Sequence, residues 1–281
     1  MKFTPKQLNG NINVSRAHPL TELFWLLGGL ILATGLVFLL LGFATDWAAE
    51  KIPVSVENWL GEQAVTQFPG ERNQALEQRL QALLAQLPAD SKLHQYNFRV
   101  VLSPSEQVNA VALPGGTIVV FAGLLKQVRS ENELAMILAH ELGHFAHRDH
   151  LRGLGRGLGL TVAAALLFGE ENAASDLIAK TLMTYRVRYS RAQESAADRF
   201  ALDLLNKRYG HVGGSTDFFV RMAKKAGSRI PYLLASHPHP QARIDQLDRL
   251  IKEKGYLRKE TRPLTAELRT AGQKTDKSTG Q

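Results

Sequence analysis

The hydrophobic pattern of the chain changes period several times. From Leu23 to Ala44 it runs LFWLLGGLILATGLVFLLLGFA, 22 residues without a charge. As a helix this stretch is roughly 33 Å long, enough to cross the hydrocarbon core of a bilayer. Trp25 and Trp47 stand near its two ends, where aromatic rings favour the head-group region. A buried soluble helix rarely lacks a polar face over this length. The run also exceeds the apolar part of a cleavable signal peptide, and no A-x-A-like site follows it. The pattern therefore predicts a retained transmembrane helix over 23–44 behind a short N-terminal segment, 1–22. Lys2, Lys6 and Arg16 precede the span, whereas Asp46, Glu50 and a single Lys51 follow it. The positive-inside tendency keeps the N-terminus cytoplasmic and exports the remainder.

Beyond the span, Glu57–Phe68 reads as a short amphipathic helix. Glu71–Leu87 reads as a second, with Leu76, Leu80, Leu83, Leu84 and Leu87 at helical spacing before Pro88. The period then shortens. Phe98–Leu102, Val108–Leu113 and Thr117–Phe121 read as strands, the last two joined by a turn at Pro114-Gly115-Gly116. Ser130 and Glu133 make a capping-box pattern ahead of LAMIL, predicting a helix from Glu131 through His150. The apolar stretch 157–169 is too short to span a bilayer and is expected as a buried core helix, with a membrane-touching element as the alternative. Arg191–Leu205 and Gln241–Lys254 read as further helices, Pro240 being suited to a helix start. From about Arg262 the pattern predicts a loose polar tail, 262–281. No internal repeat is present.

Composition narrows the chemistry. With 44% hydrophobic and 21% charged residues, the chain is neither wholly disordered nor collagen-like. It has no cysteine, which excludes disulfides, thiolate metal sites and a cysteine nucleophile; any metal must be held by His and carboxylates. The net charge of +8 favours an anionic partner. Arg186, Arg188 and Arg191 around Tyr185 and Tyr189 would suit phosphate contacts with stacking. No nucleic-acid module is recognised, however, and export removes the chain from DNA. No nucleic-acid partner is expected, and the charge points instead to the membrane surface. The Arg/Tyr cluster reads as a solvated helix face, with contact to anionic lipid or gating of the cleft as the other possibility.

The most specific signal is His140-Glu141-Leu142-Gly143-His144. Histidines four apart on a helix are offset by only about 40°, so both imidazoles face one way and can share a zinc ion. Glu141, about 100° round the helix, is free to take a proton from water. With 9 histidines in the chain, chance produces H-E-x-x-H at such compositions in about 2% of cases. An open catalytic zinc needs a third protein ligand and a place for water. Glu194 and Asp198, four apart in SRAQESAADRFALD, would repel each other on an isolated helix, so their pairing implies a compensating positive charge. A zinc ion with its imidazoles would supply it. Glu194 would then be the third ligand, and Asp198 would orient a ligand histidine. The alternative is a solvated acidic helix paired with Arg191 and Arg199. His147 and His150 read as surface or cleft-rim residues, since a fourth histidine ligand closes the water position. His239 reads as structural, and the residues alone leave His237 undecided.

Together these motifs resemble the M48 family of zinc metallopeptidases, a gluzincin family with heat-shock, CAAX prenyl and periplasmic branches. The resemblance covers approximately Val56 to Ile251. It rests on HELGH (140–144), ESAAD (194–198), NAVALPGGTIVVFAGLL (109–125) and SHPHPQARI (236–244). It implies an α+β fold, a mainly helical zincin-like domain over 52–255 with a small antiparallel sheet, preceded by one transmembrane helix. It implies one Zn²⁺ per chain on His140, His144 and Glu194, with Glu141 as general base and Asp198 as the orienting carboxylate on His140. It sets Asn109 and Ala110 on the edge strand lining the cleft. His237 falls near the substrate, supported by Arg243. The chain departs from the multi-span branches in showing one clear span, and from lipid-anchored members in having no cysteine.

The expected function is a membrane-anchored zinc endopeptidase cleaving unfolded or damaged proteins, its domain on the periplasmic side of a bacterial inner membrane. The alternative is a weak or inactive member of the same fold that binds polypeptides as a chaperone or scaffold. Expected partners are polypeptide substrates and, through the N-terminal helix, membrane lipid.

Overall fold

The computed structural model describes residues 19–153, 155, 189–225, 237 and 240–274. The chain divides into two compact units at Ala44–Thr45. Helix α1, Pro19–Lys51, outruns the apolar stretch at both ends. No proline interrupts it before Pro53, which disfavours a helical Ile52. Over residues 19–40 its large side chains stand exposed, Trp25 at 72% and Leu32 at 75%. By length and composition the helix can cross a membrane. The stretch 157–169 lies outside the described residues.

In the second unit the chain forms α2 (Val54–Val65), β1 (Glu71–Arg72), α3 (Gln74–Leu84), β2 (Arg99–Ser103), β3 (Ala110–Leu113) and β4 (Thr117–Phe121). There follow α4 (Ala122–Gln127), α5 (Glu131–Ala146), α6 (Arg191–Tyr209), α7 (Asp217–Lys225), α8 (Pro240–Lys254) and α9 (Ala266–Lys274). The sheet runs β1-β2-β4-β3. It is mixed rather than wholly antiparallel: β3 and β4 form a hairpin, but β2 pairs β4 in parallel from Arg99↔Thr117 to Ser103↔Phe121. The chain leaves β2, passes the slot that β4 later fills, and returns through the hairpin, so two reversals bring β4 alongside β2 in the same direction. Every residue of β4 (TIVVF) is buried, as a central strand covered on both faces requires. Gly115 turns the hairpin at φ 75°, a left-handed conformation natural to glycine. Gly61 of α2 sits so close over that turn that a Cβ would lie 2.0 Å from Pro114 O.

One continuous core joins α3 (Leu76, Leu80, Leu83), α5 (Leu134, Leu138, Leu142), α6 (Leu202, Leu205) and the inner face of the sheet. Helix α5 is buried from Asn132 to Phe145. Ser130 Oγ caps it by accepting from Glu133 N at 3.1 Å. The helix stops at Ala146, four residues short of His150. His147 closes it, its Nδ1 2.7 Å from Gly143 O, and Arg148 takes a left-handed φ of 55°. The C-terminal stretch also departs from expectation. Pro263 bridges Ser130, and α9 buries Leu268, with Leu264 buried just before it. Two leucines four apart sufficed to dock one short helix, although the surrounding residues are polar.

Candidate metal centre

Helix α5 presents His140 and His144 one turn apart, both buried. Their Nε2 atoms face each other at 3.1 Å. The outer nitrogen of each meets a buried carboxylate: His140 Nδ1 lies 2.9 Å from Asp198 Oδ1, and His144 Nδ1 lies 2.9 Å from Asp149 Oδ2. When each Nδ1–H donates to its carboxylate, both Nε2 atoms carry lone pairs. Two lone pairs facing each other without a proton between them repel, and a shared cation converts that repulsion into coordination.

Helix α6 adds Glu194. The helix starts on a full capping box, Ser190 with Gln193, which places Glu194 in the first turn and buries it. Its carboxylate oxygens lie 3.5 Å from His140 Nε2 and 3.6 Å from His144 Nε2. His237 brings Nδ1 to 3.3 Å from His140 Nε2 and 2.9 Å from Glu194 Oε1. Four donor atoms, one each from His140, His144, Glu194 and His237, thus gather within 4.8 Å of one another. With zinc–nitrogen bonds of about 2.0–2.1 Å, the edge of a tetrahedral site is about 3.3 Å. The donor separations bracket that edge, and the donor set is of the nitrogen-and-carboxylate type that suits zinc.

Gly143 lets the two ligand-bearing helices meet. A Cβ there would lie 2.8 Å from Ala197 Cα on α6. Asp198 sits one turn below Glu194, and Arg243 of α8 spans both carboxylates. Arg243 donates to Asp198 from Nε and Nη2 at 2.8 and 2.6 Å, and its Nη1 lies 3.0 Å from Glu194 Oε2. The positive charge that offsets the Glu194/Asp198 pair is therefore this buried guanidinium as well as the imidazoles, while Arg191 and Arg199 are exposed.

The electrostatics follow from this packing. Burial raises the Asp198 pKa, but Arg243 and His140 outweigh it and bring it to about 2. Glu194 is likewise raised by burial, yet His237 and Arg243 hold it well below the usual carboxylate range. Burial lowers the pKa of His140 and His144, keeping them in the neutral form that binds metals. For His237 the burial effect is overcome by Glu194, and its pKa is raised.

Glu141 is buried beside the donors. Its Oε1 lies 3.7 Å from His237 Nε2, and its Oε2 has no hydrogen-bond partner among the described residues. Asn109 and Ala110 are buried at the start of β3, the strand at the sheet's edge.

Several residues lie where the sequence did not point. Asp149, five residues after His144, was hidden because it follows the helix break. Tyr189 is not on a solvated helix face: its buried ring stacks on His144, centroids 3.7 Å apart and planes 13° from parallel. Burial pushes its hydroxyl pKa well up. His150 is not at a surface or cleft rim but buried, its Nε2 3.2 Å from Glu57 Oε2. Tyr185, Arg186, Arg188 and His239 lie outside the described residues.

The geometry accords with comparisons to known proteins. The chain is 30% identical to the metalloprotease YcaL of Escherichia coli (strain K12) over 164 residues, 56% of this chain and 63% of that one. It is 30% identical over 160 residues to a putative beta-barrel assembly-enhancing protease of Vibrio cholerae, covering 52% of this chain and 33% of that one. It is 29% identical over 156 residues to the mitochondrial metalloendopeptidase OMA1 of Arabidopsis thaliana, covering 55% and 32%. The chain thus spans less than two thirds of the length of these relatives. A model of peptidase family M48 matches residues 71–251, a stretch that contains all four candidate donors and Glu141, and the chain belongs to that family.

Proposed function

We propose that the chain is a zinc-dependent endopeptidase in which His140, His144 and Glu194 hold the metal and Glu141 is the general base. The observation that carries this reading is the pair of Nε2 atoms 3.1 Å apart, each backed through Nδ1 by a buried carboxylate. When bound, zinc would polarise the scissile carbonyl and lower the pKa of a water molecule. Glu141, whose Oε2 has no partner among the described residues, takes the proton and passes it to the leaving amine. His237 presents Nε2 on the Glu141 side and donates a hydrogen bond to the developing oxyanion. Asp198 and Asp149 keep both ligand rings in one tautomer. The edge strand β3, which begins at Ala110 just after Asn109, offers backbone groups to an extended substrate. Recognition through backbone has little sequence selectivity, which suits unfolded or damaged proteins. Helix α1 anchors the domain, 52–255, on the extracytoplasmic side of a bacterial inner membrane, a reading supported by the positive-inside pattern of its flanks.

A second reading has its own support. With His237 Nδ1 in the cluster the donor set numbers four and is closed, an arrangement typical of structural sites, whereas hydrolysis needs one position for water. A weak or inactive polypeptide-binding scaffold would retain this closed set. Zinc content and chelator-sensitive casein cleavage, wild type against Glu141→Gln, separate the two. The protease reading expects full zinc in both proteins and at least about a hundredfold lower cleavage in the variant. Equal cleavage by the two proteins would sink it.

A further inference from the structure

A buried network behind the metal centre takes no part in the proposed hydrolysis, yet it ends one residue from it. Glu57 of α2 is wholly buried. Both its oxygens lie 3.0 Å from the Tyr96 hydroxyl, and Oε2 lies 3.2 Å from His150 Nε2. Its Oε1 also accepts from Arg148 Nη2. Arg148 donates in addition to Glu50 O at 3.0 Å and to Ile52 O at 2.6 Å.

Arg148 and His150 flank Asp149, and both end on the same carboxylate. Asp149 between them is turned the other way, onto His144. There its Oδ2 lies 2.9 Å from His144 Nδ1, and its Oδ1 accepts from Gln193 Nε2 at 2.9 Å. Gln193 is itself fixed, its Oε1 accepting from Ser190 N at 2.8 Å. The side chain of Asp149 is thus held from α6, next to Glu194, but its backbone hangs on the turn after α5. That turn runs through Arg148 at φ 55°, a conformation that disfavours any residue with a Cβ. A turn set against local preference persists only when its surroundings fix it, and the guanidinium bonded to Glu57, Glu50 and Ile52 does so.

We infer that Arg148 and Glu57 are positioning residues for the metal centre: they lock the turn that aims Asp149, and through Asp149 the ring of His144. The inference rests on the metal-centre reading above. A network that merely tied residues 50–57 to the domain would support the fold without reaching the metal. The two cases differ in what they do to metal binding.

The experiment measures zinc affinity of the purified full chain by competition with a chromophoric chelator, together with the visible spectrum of the cobalt(II)-substituted protein. Arg148→Gly removes the guanidinium and leaves the left-handed turn accessible, while Glu57→Gln removes the charge the guanidinium meets. Each should weaken zinc about tenfold, at the lower end of losses for partners of metal ligands, and shift the cobalt bands. Arg148→Lys, which keeps one charged donor, should recover part of the loss. In the Asp149→Asn background, Arg148→Gly should add no further loss, because it acts through Asp149. Leu80→Ala, a core change far from the network in sequence, should lower stability and leave zinc affinity alone.

Zinc affinity within twofold of wild type in folded Arg148→Gly would overturn the inference, as would losses from Arg148→Gly and Asp149→Asn that add. If Glu57→Gln fails to fold, the Arg148 series decides alone. A wild-type chain that binds no zinc overturns the metal centre itself, and this inference with it.

Discussion

Arg243 forks onto Asp198, its Nε and Nη2 donating at 2.8 and 2.6 Å, while Asp198 Oδ1 lies 2.9 Å from the outer nitrogen of His140. One carboxylate is thereby shared between a structural cation and a candidate metal ligand. Lysine has no planar fork and cannot replace the guanidinium in kind. Arg243→Ala should cost roughly 3–5 kcal/mol of stability, because it strands two buried carboxylates; denaturant unfolding measures it. Asp198→Asn keeps the shape but loses the charge. It should weaken zinc by about 10–100-fold in the chelator competition.

The contact between α5 and α6 makes Gly143 sensitive. A methyl group there meets the Ala197 backbone at 2.8–3.0 Å, and backbone cannot step aside as a flexible side chain does. Gly143→Ala should destabilise the protein by about 1–3 kcal/mol and push Glu194 away from His140 and His144. Zinc affinity should fall with it. A variant as stable as wild type and equally tight for zinc would show that the helices do not depend on this contact.

The C-terminal stretch offers a test of the fold. Leu268 is fully buried in a segment whose composition suggests a loose tail. Leu268→Ala should cost about 2–5 kcal/mol if α9 is docked as described. A loose tail would leave the unfolding midpoint unmoved.

His150 gives a dependence on pH. Burial, with Arg148 nearby, brings its pKa from 6.5 to about 3. Between those values the unfolded chain binds a proton that the folded one does not. Its contribution to stability is therefore complete above the unfolded value and is lost as pH falls toward the folded one. Thermal unfolding from about pH 7 down to about pH 4 should show wild type losing ground to His150→Gln. The two histidine ligands are common to both proteins and cancel in the difference. Parallel curves would mean that His150 keeps an ordinary pKa in the fold.

The elements legible in the sequence are those set by local pattern. The leucine spacing of Leu76, Leu80, Leu83 and Leu84 gives α3, buried on that face. Ser130 and Glu133 mark the start of α5, and the His140/His144 spacing brings two imidazoles to one side. The hidden parts depend on neighbours that no period encodes. Helix α5 ends at Ala146, and Arg148 just beyond that end meets Glu57, 91 residues away. Tyr189 looked solvated because it precedes a polar run, and its stacking on His144 depends on how α6 enters the core. The parallel β2/β4 pairing reflects the path of the loop after β2, where alternation of apolar residues is silent.

The apolar helix, the order of the elements, the family motifs and the types of donor available follow from local pattern in the chain. These are properties of residues a few positions apart, fixed by the helical repeat and by which side chains carry nitrogen or carboxylate. Packing across the fold is what brings donors of Glu194 and His237, 54 and 97 residues beyond His140, next to its Nε2. It also decided that Asp149 and Asp198 back the two rings, and that Arg243 offsets the acidic pair. Those choices rest on burial: once water is excluded, each charge must find its partner across the fold, and packing rather than spacing selects which one.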